Sequence, residues 1–170
     1  MNTTTILIII AAFFGGSFLL MIPFAIFYSK KKKRVERYKA DNADKAILHI
    51  YGGSVMVDGR QISDVEHIKG NELECLVPLS GGKHIIEAKY EITDLHLGKN
   101  VTFKTPKAIS SEIEFVAGCE YTISIYFYSP KERRAYYKGD VGEDVYTQEL
   151  GISVAASGYD KAYIICYKES

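Results

Sequence analysis

The chain has 170 residues, with 21 basic and 21 acidic side chains and three cysteines. The charge is unevenly spread: residues 30–39 hold seven basic side chains and one acidic, a net of +6, which leaves 14 basic and 20 acidic side chains, a net of −6, for residues 40–170. An acidic domain lacks the basic face that neutralises phosphates, so we expect no nucleic-acid partner. Three scattered cysteines without a CxxC pair favour a reducing compartment over a disulfide framework.

The N-terminal segment predicts a membrane anchor. Residues 6–27 include no charged side chain, and as a helix these 22 residues would be roughly 33 Å long, close to the thickness of a bilayer's hydrocarbon core. A cleavable signal peptide has a shorter apolar core that follows basic residues, whereas here the basic residues come after it. We therefore predict a short extracytoplasmic N-terminus (1–5) and a single-pass transmembrane helix (6–28) that acts as an uncleaved signal-anchor.

A basic juxtamembrane linker (29–45) is predicted next. Lys and Arg beside a span stay on the cytoplasmic side, so the rest of the chain is predicted to be cytoplasmic. The same side chains would lie against the bilayer and its anionic lipid headgroups. The stretch can also continue the membrane helix as a solvated segment, with Lys32 and Glu36 spaced i,i+4 and Asp41 near its end. The predicted membrane-surface residues are Lys30, Lys31, Lys32, Lys33, Arg34, Arg37 and Lys39.

Residues 46–170 have the pattern of a soluble all-β domain. Apolar and polar side chains alternate through 86–92 and 109–115, and turn residues such as Asp58-Gly59 separate the alternating runs. Short strands at this spacing are typical of a sandwich or barrel. We predict an all-β fold, a single β-sandwich (Ig-like or PEGA-like) that follows one N-terminal transmembrane α-helix. The predicted strands are 46–51, 54–58, 73–79, 83–92, 100–105, 109–116, 120–128, 150–156 and 161–167, with a loop or short helix in 130–148.

Three segments resemble a known family. Residues 55–59 (Val-Met-Val-Asp-Gly) end a strand, residues 77–88 contain a Gly-x-His turn, and residues 117–121 have the pattern Ala-Gly-x-x-Tyr. Their order is similar to that of the small PEGA-like β-sandwich modules over residues 46–128, although the Pro-Glu-Gly-Ala signature itself is absent. The resemblance implies a non-catalytic, tethered or surface domain. It informs the fold more than the function, because one fold serves many functions.

Motifs for catalysis or metal binding are not evident in the sequence. None of the four histidines stands in a metal-ligand spacing, and there is no nucleophile elbow, Walker loop or dinucleotide fingerprint. His84 shares a strand face with Ile86 and is predicted to be a core or turn residue. His96, with acidic residues nearby, is the histidine that a zinc site would use. We expect no catalytic residue, no metal ligand and no cofactor, and hence no enzyme.

Tyrosines are concentrated in the C-terminal half of the chain. Exposed aromatic side chains with a polar tip are favoured at interfaces, so these residues predict a contact surface for a partner. The alternative is that they cover the second face or the rim of the sandwich. Two arginines next to the tyrosines could favour an acidic partner or be solvated surface. The predicted contact residues are Tyr126, Tyr128, Arg133, Arg134, Tyr136 and Tyr137.

These features predict a single-pass membrane protein whose non-catalytic cytoplasmic β-sandwich acts as a binding or scaffolding module for a protein partner. One alternative is an anchored extracytoplasmic module that binds carbohydrate or envelope components, which an occupied glycan at Asn100 would favour. A further alternative is an enzyme that combines scattered His, Cys and acidic side chains, and it requires a cleft with perturbed titrating groups.

Overall fold

The computed structural model describes residues 28–51, 54–70, 74–96, 99–105, 107–139, 142–151 and 161–169. Strands dominate these residues, which confirms the predicted all-β class. Residues 41–170 form one compact unit, distinct from residues 1–40. No helix in the described ranges is long and apolar enough to cross a bilayer, and the predicted span lies outside those ranges except for Tyr28.

Helix α1 covers residues 28–41 and contains all seven predicted membrane-surface residues. Lys32 Nζ lies 3.9 Å from a carboxylate oxygen of Glu36, one turn further along, and both side chains are well exposed. Five of the seven basic residues are exposed, and Lys31 and Lys39 are half-buried. Most of the predicted basic linker is therefore helical, as the second interpretation of this segment expects.

The compact unit contains twelve strands, one 3₁₀ turn and helix α2 within its described residues. The strands are β1 (Ala46–Tyr51), β2 (Ser54–Val57), β3 (Arg60–Gln61), β4 (Ile68–Lys69), β5 (Glu74–Leu79), β6 (Gly82–Lys89), β7 (Glu91–His96), β8 (Lys99–Lys104), β9 (Ile109–Phe115), β10 (Glu120–Tyr126), β11 (Glu143–Gly151) and β12 (Lys161–Lys168). The 3₁₀ turn is Ile62–Asp64, and α2 is Pro130–Tyr136.

Two main sheets and one separate hairpin are formed by these strands. The larger sheet has the order β11-β12-β10-β1-β5-β4, the smaller has β3-β2-β6-β9, and β7 pairs with β8 alone. Strand β1 pairs parallel with β10 and antiparallel with β5. The parallel pairing places strands that are far apart in the chain side by side, and it aligns Ile47 with Glu120 and His49 with Thr122.

One hydrophobic cluster draws on strands of both main sheets. Alternate residues of β1 point into it, namely Ala46, Leu48 and Ile50, and each is at most 2% exposed. Strands β2, β5, β6, β9, β10 and β12 contribute in the same period-two manner, because successive side chains leave a strand on opposite faces. The central strands of the larger sheet also bury residues of the opposite face, including His49 and Thr122.

Most predicted strands occur within a residue or two of their predicted bounds. The two-residue strands β3 and β4 were not predicted, and two further regions differ. The predicted strand 83–92 divides into β6 and β7 at Tyr90, whose N–H donates to Thr105 Oγ1 at 3.0 Å. The interval 130–148 contains the short helix α2 and then the start of β11, which begins at Glu143 instead of residue 150. Residues 152–156 of the predicted strand lie outside the described residues. The first half of β11 lacks a regular apolar pattern, because the register shifts between Asp144 and Tyr146 and the core-facing position 148 is a glutamine.

Candidate functional site

A capping box marks the start of helix α2. The side chain of Ser129 accepts a hydrogen bond from the N–H of Glu132, and the Glu132 carboxylate accepts one from the N–H of Ser129 at 2.7 Å. This reciprocal capping box, together with Pro130 in the first turn, fixes where the helix starts. The same backbone and side-chain hydrogen bonds from Ser129 lower the pKa of Glu132.

Arg133 fastens α2 to the larger sheet. Its side chain is buried, with the residue only 1% exposed, and Nη2 donates to Asp144 Oδ1 at 2.5 Å. The guanidinium carbon lies 4.1 Å from the ring centre of Tyr167 on β12 and 5.8 Å from that of Tyr126 on β10. Arg133 thus joins α2 to three strands of the sheet through an ion pair and two cation–π contacts.

Four tyrosines form a continuous aromatic group around α2. The ring centres of Tyr126 and Tyr128 are 5.4 Å apart, Tyr128 stacks on Tyr136 at 6.2 Å, and Tyr136 meets Tyr137 edge to face at 5.0 Å. Tyr136 and Tyr137 are 74% and 44% exposed. Burial, followed by a hydrogen bond with Tyr137, raises the pKa of Tyr128. We call Tyr126, Tyr128, Tyr136 and Tyr137 the tyrosine surface.

The predicted contact residues therefore lie together. Of the two arginines, Arg133 is not solvated surface, whereas Arg134 is exposed. Arg133 is neither solvated nor available to a partner, because it is buried beneath the tyrosines and paired with Asp144. Arg134 is exposed, yet its Nη2 lies 2.9 Å from the other carboxylate oxygen of Asp144. Asp144 pairs with both arginines, and through this pairing Arg133 supports the residues of the tyrosine surface.

A second group of polar side chains lies on the larger sheet, on the face opposite the core. His49 is buried on β1, with Nδ1 2.7 Å from Glu74 Oε1 and Nε2 3.0 Å from Glu120 Oε2. The hydroxyl of Tyr51 donates to Glu74 Oε1 at 3.1 Å. Burial, followed by the charge of Glu74 and the hydrogen bond to it, raises the pKa of Tyr51 and keeps this donor protonated.

Glu169 completes this group from the segment that follows β12. Its backbone N–H donates to Glu120 O at 2.8 Å, and its Oε1 accepts a hydrogen bond of 2.6 Å from Thr122 Oγ1. One ligand atom from each of His49, Glu120 and Glu169 lies within 4.8 Å of the others. A cluster of this composition can hold a metal ion, which sequence spacing did not indicate.

A third group surrounds His84, beside a surface cleft of about 310 Å³. Its Nδ1 lies 2.7 Å from Asp58 Oδ2, and its Nε2 lies 3.1 Å from Ser80 Oγ and 3.0 Å from the backbone oxygen of Ser80. The residue types are those of a serine–histidine–aspartate triad. The carbonyl oxygen can only accept, so a hydrogen bond between Nε2 and Ser80 O requires a proton on Nε2. His84 is a half-buried, hydrogen-bonded residue of strand β6, not of the preceding turn.

Asp58 stabilises the turn between β2 and β3, and this role predicts that the stability of the folded state depends on pH. Partial burial favours the neutral carboxyl, but hydrogen bonds from His84 and the Ile85 N–H outweigh it and lower the pKa of Asp58 below 3.8. The ionised form is therefore stabilised in the folded state, a contribution present above pH 3.8 and lost as the pH falls through the folded-state pKa.

Replacing Asp58 with asparagine, which tolerates the positive φ of 51° at this position, should remove that contribution. We expect the stability difference between Asp58→Asn and the unchanged chain to be present above about pH 5 and to shrink below about pH 4. Urea unfolding of the full chain in detergent micelles across this range measures it, with exposed Asp64→Asn as the control. A difference that persists unchanged to pH 2 would contradict the assigned role.

Comparison of the chain with protein-family models, with curated proteins and with solved structures finds no match. The site must therefore be interpreted from its geometry alone. Sequence reasoning found the tyrosine surface because its members are close in the chain, whereas it missed the His49 group because Glu74 and Glu120 are 25 and 71 residues away from His49. The side chain of His96, the histidine considered for zinc, lies outside the described residues.

Proposed function

We propose that this chain is a single-pass membrane protein whose all-β domain is a non-catalytic binding or scaffolding module for a protein partner on the cytoplasmic side. The tyrosine surface carries this proposal: Tyr136 and Tyr137 are exposed on a base that buried Arg133 holds in place. Tyrosine combines a large contact area with a polar tip, and it is enriched at interfaces. A surface that is ordered before binding loses less conformational entropy when a partner docks.

The proposed membrane attachment is supported by the order of the N-terminal residues. An uncharged run over 6–27 precedes seven basic side chains within 30–39, all on helix α1, and this asymmetry favours a cytoplasmic domain. Exposed lysines and arginines of α1 would contact anionic lipid headgroups, at about 1 kcal/mol for each basic residue near such a surface. A tethered module meets its partner at a raised local concentration, which lowers the affinity that its own surface must provide.

We further propose that the domain is an Ig-like or PEGA-like β-sandwich. The hydroxyl of Tyr121 accepts a hydrogen bond of 2.9 Å from the N–H of Val116, five residues upstream, which is similar to the tyrosine corner of Ig-like sandwiches. Two segments of the PEGA-like resemblance also meet, because Asp58 binds both the ring of His84 and the N–H of Ile85. Both hydrogen-bonded arrangements are of the kind expected where strands of a sandwich are connected.

The binding role can be tested by replacing Tyr136 and Tyr137 together with serine. Both side chains are solvent-accessible and lose only contacts within the tyrosine surface, so the free energy of unfolding should fall by about 1 kcal/mol for each, whereas capture of the partner should fall at least about tenfold, as for interface hot spots. The measurement is quantitative mass spectrometry of proteins that co-purify with the full chain after mild cross-linking in native membranes.

Ile85→Ser is the matched control, because Ile85 has the same 44% exposure as Tyr137 but lies on the smaller sheet. We expect this variant to capture the same proteins, in the same amounts, as the unchanged chain. The proposal fails if the double tyrosine variant and the Ile85 variant have identical profiles of co-purifying proteins.

A further inference from the structure

The outward face of the larger sheet brings three metal-binding side chains together from distant parts of the chain. Strands β1 and β10 are parallel neighbours, which places His49 beside the start of β10, where Glu120 lies. Glu169 follows β12, the strand on the other side of β10, and its N–H is bonded to the backbone of Glu120. The sheet register therefore fixes the positions of all three residues.

The ligand atoms match the preferences of a particular class of ion. An imidazole nitrogen and two carboxylate oxygens, all within 4.8 Å of one another, are a donor set for divalent first-row transition cations such as Zn²⁺. Mg²⁺ and Ca²⁺ prefer all-oxygen sites, and the histidine disfavours them. The buried imidazole distinguishes this group from an ordinary cluster of surface carboxylates.

Side chains around the three residues orient them in the manner of an outer coordination shell. Glu74 is buried beside Nδ1 of His49 and accepts its hydrogen bond, which leaves Nε2 directed at Glu120. Tyr51 donates to Glu74, and Thr122, which is 3% exposed, donates to Glu169. A carboxylate that holds the far nitrogen of a histidine is the usual support of a metal-bound imidazole.

Charge favours a cation at this point as well. Three carboxylates, those of Glu74, Glu120 and Glu169, lie around one imidazole. A divalent cation between Nε2 and the two outer carboxylates supplies two positive charges where they converge. It also links β1, β10 and the segment after β12.

We propose that His49 Nε2, Glu120 and Glu169 bind one divalent first-row transition cation, with Glu74 as the residue that orients His49. Three protein ligands leave at least one coordination position for water or for a side chain of a partner. The proposal is independent of the tyrosine surface and of membrane attachment, so it stands or fails separately from the proposed function.

The test is calorimetric titration of the chelator-treated full chain, in detergent micelles, with Zn²⁺, Mn²⁺, Mg²⁺ and Ca²⁺ in separate runs. We expect one Zn²⁺ per chain and a higher thermal midpoint with the metal, because the ion binds the folded state. Binding of Mn²⁺ also supports the proposal, whereas binding of Mg²⁺ or Ca²⁺ without Zn²⁺ contradicts it.

Three variants separate a metal site from a purely structural histidine–glutamate network. Glu169→Gln keeps an acceptor for Thr122 and so should fold, but it should weaken Zn²⁺ binding at least about tenfold. Glu74→Gln should weaken Zn²⁺ binding about 10–100-fold, because the substitution changes the group that orients His49. Glu149→Gln, which removes a half-exposed carboxylate paired with Lys161 on the same sheet, should bind as the unchanged chain does.

X-ray absorption at the zinc edge provides an independent readout. We expect a first shell of nitrogen and oxygen without sulfur. A zinc–sulfur distance, which would indicate Cys75 or Cys119, overturns the proposal, as does the absence of stoichiometric Zn²⁺ binding or equal binding by Glu169→Gln and Glu149→Gln.

Discussion

Replacing Arg133 with alanine should lower the free energy of unfolding by about 3–5 kcal/mol, which is the usual cost of removing one member of a buried ion pair. The substitution leaves Asp144 buried and without its shorter ion-pair contact, and it removes the guanidinium from above the ring of Tyr167. Helix α2 then loses the ion pair and the cation–π contact that connect it to the sheet. Urea unfolding of the full chain in detergent micelles, followed by tyrosine fluorescence and near-UV circular dichroism, measures the change.

Arg134→Ala is the control for this prediction because both arginines contact the same aspartate. Arg134 has a side chain that is 56% exposed, and exposed ion pairs contribute only about 0–1 kcal/mol. The two neighbouring substitutions should therefore differ several-fold in their effect. Equal losses for Arg133→Ala and Arg134→Ala would show that the ion pair and the contact with Tyr167 do not hold α2 in place.

Replacing Phe115 with alanine should cost about 3–5 kcal/mol as well, through the loss of buried apolar surface and the cavity that remains. Phe115 is 1% exposed at the end of β9, and its ring meets that of Tyr121 edge to face, with centres 5.0 Å apart. These two rings belong to different main sheets, so the substitution weakens the contact between the sheets. Thermal or urea unfolding of the full chain in micelles is the appropriate measurement.

The next residue along the chain supplies the comparison. Val116 is 57% exposed, and Val116→Ala should change the free energy of unfolding by no more than about 0.5 kcal/mol. If Phe115→Ala is as mild as Val116→Ala, the two sheets do not share the core described above.

Elements with regular alternation could be predicted from the sequence, whereas an element whose alternation is interrupted could not. Strand β1 has the predicted bounds because Ala46, Leu48 and Ile50 alternate with residues of the other face. Strand β11 begins earlier than expected, because a register shift between Asp144 and Tyr146 interrupts its alternation. Asp144 pairs with Arg133 on the face opposite the core, and this partner on α2 is known only once the chain is folded.

Two further features depend on contacts between distant residues. The parallel pairing of β1 with β10 aligns residues that are far apart in the chain, such as Ile47 with Glu120, and no local pattern encodes it. It brings the side chain of His49 to that of Glu120, 71 positions away. Both the His49 group and the tyrosine surface use outward positions of β10, from Glu120 and Thr122 at one end to Tyr126 at the other. A histidine inside the apolar run 46–51 was the available signal that this outward face is also buried.

The proposed orientation of the predicted membrane anchor underlies the proposed function, and thiol labelling in intact cells tests it most directly. Val116→Cys places a thiol on an exposed loop of the domain, and Asn2→Cys places one before the predicted span. Labelling by a membrane-impermeant maleimide is compared with the background of the unchanged chain, before and after permeabilisation. We predict that Asn2→Cys is labelled in intact cells and Val116→Cys only after permeabilisation; labelling of Val116→Cys in intact cells would contradict the account.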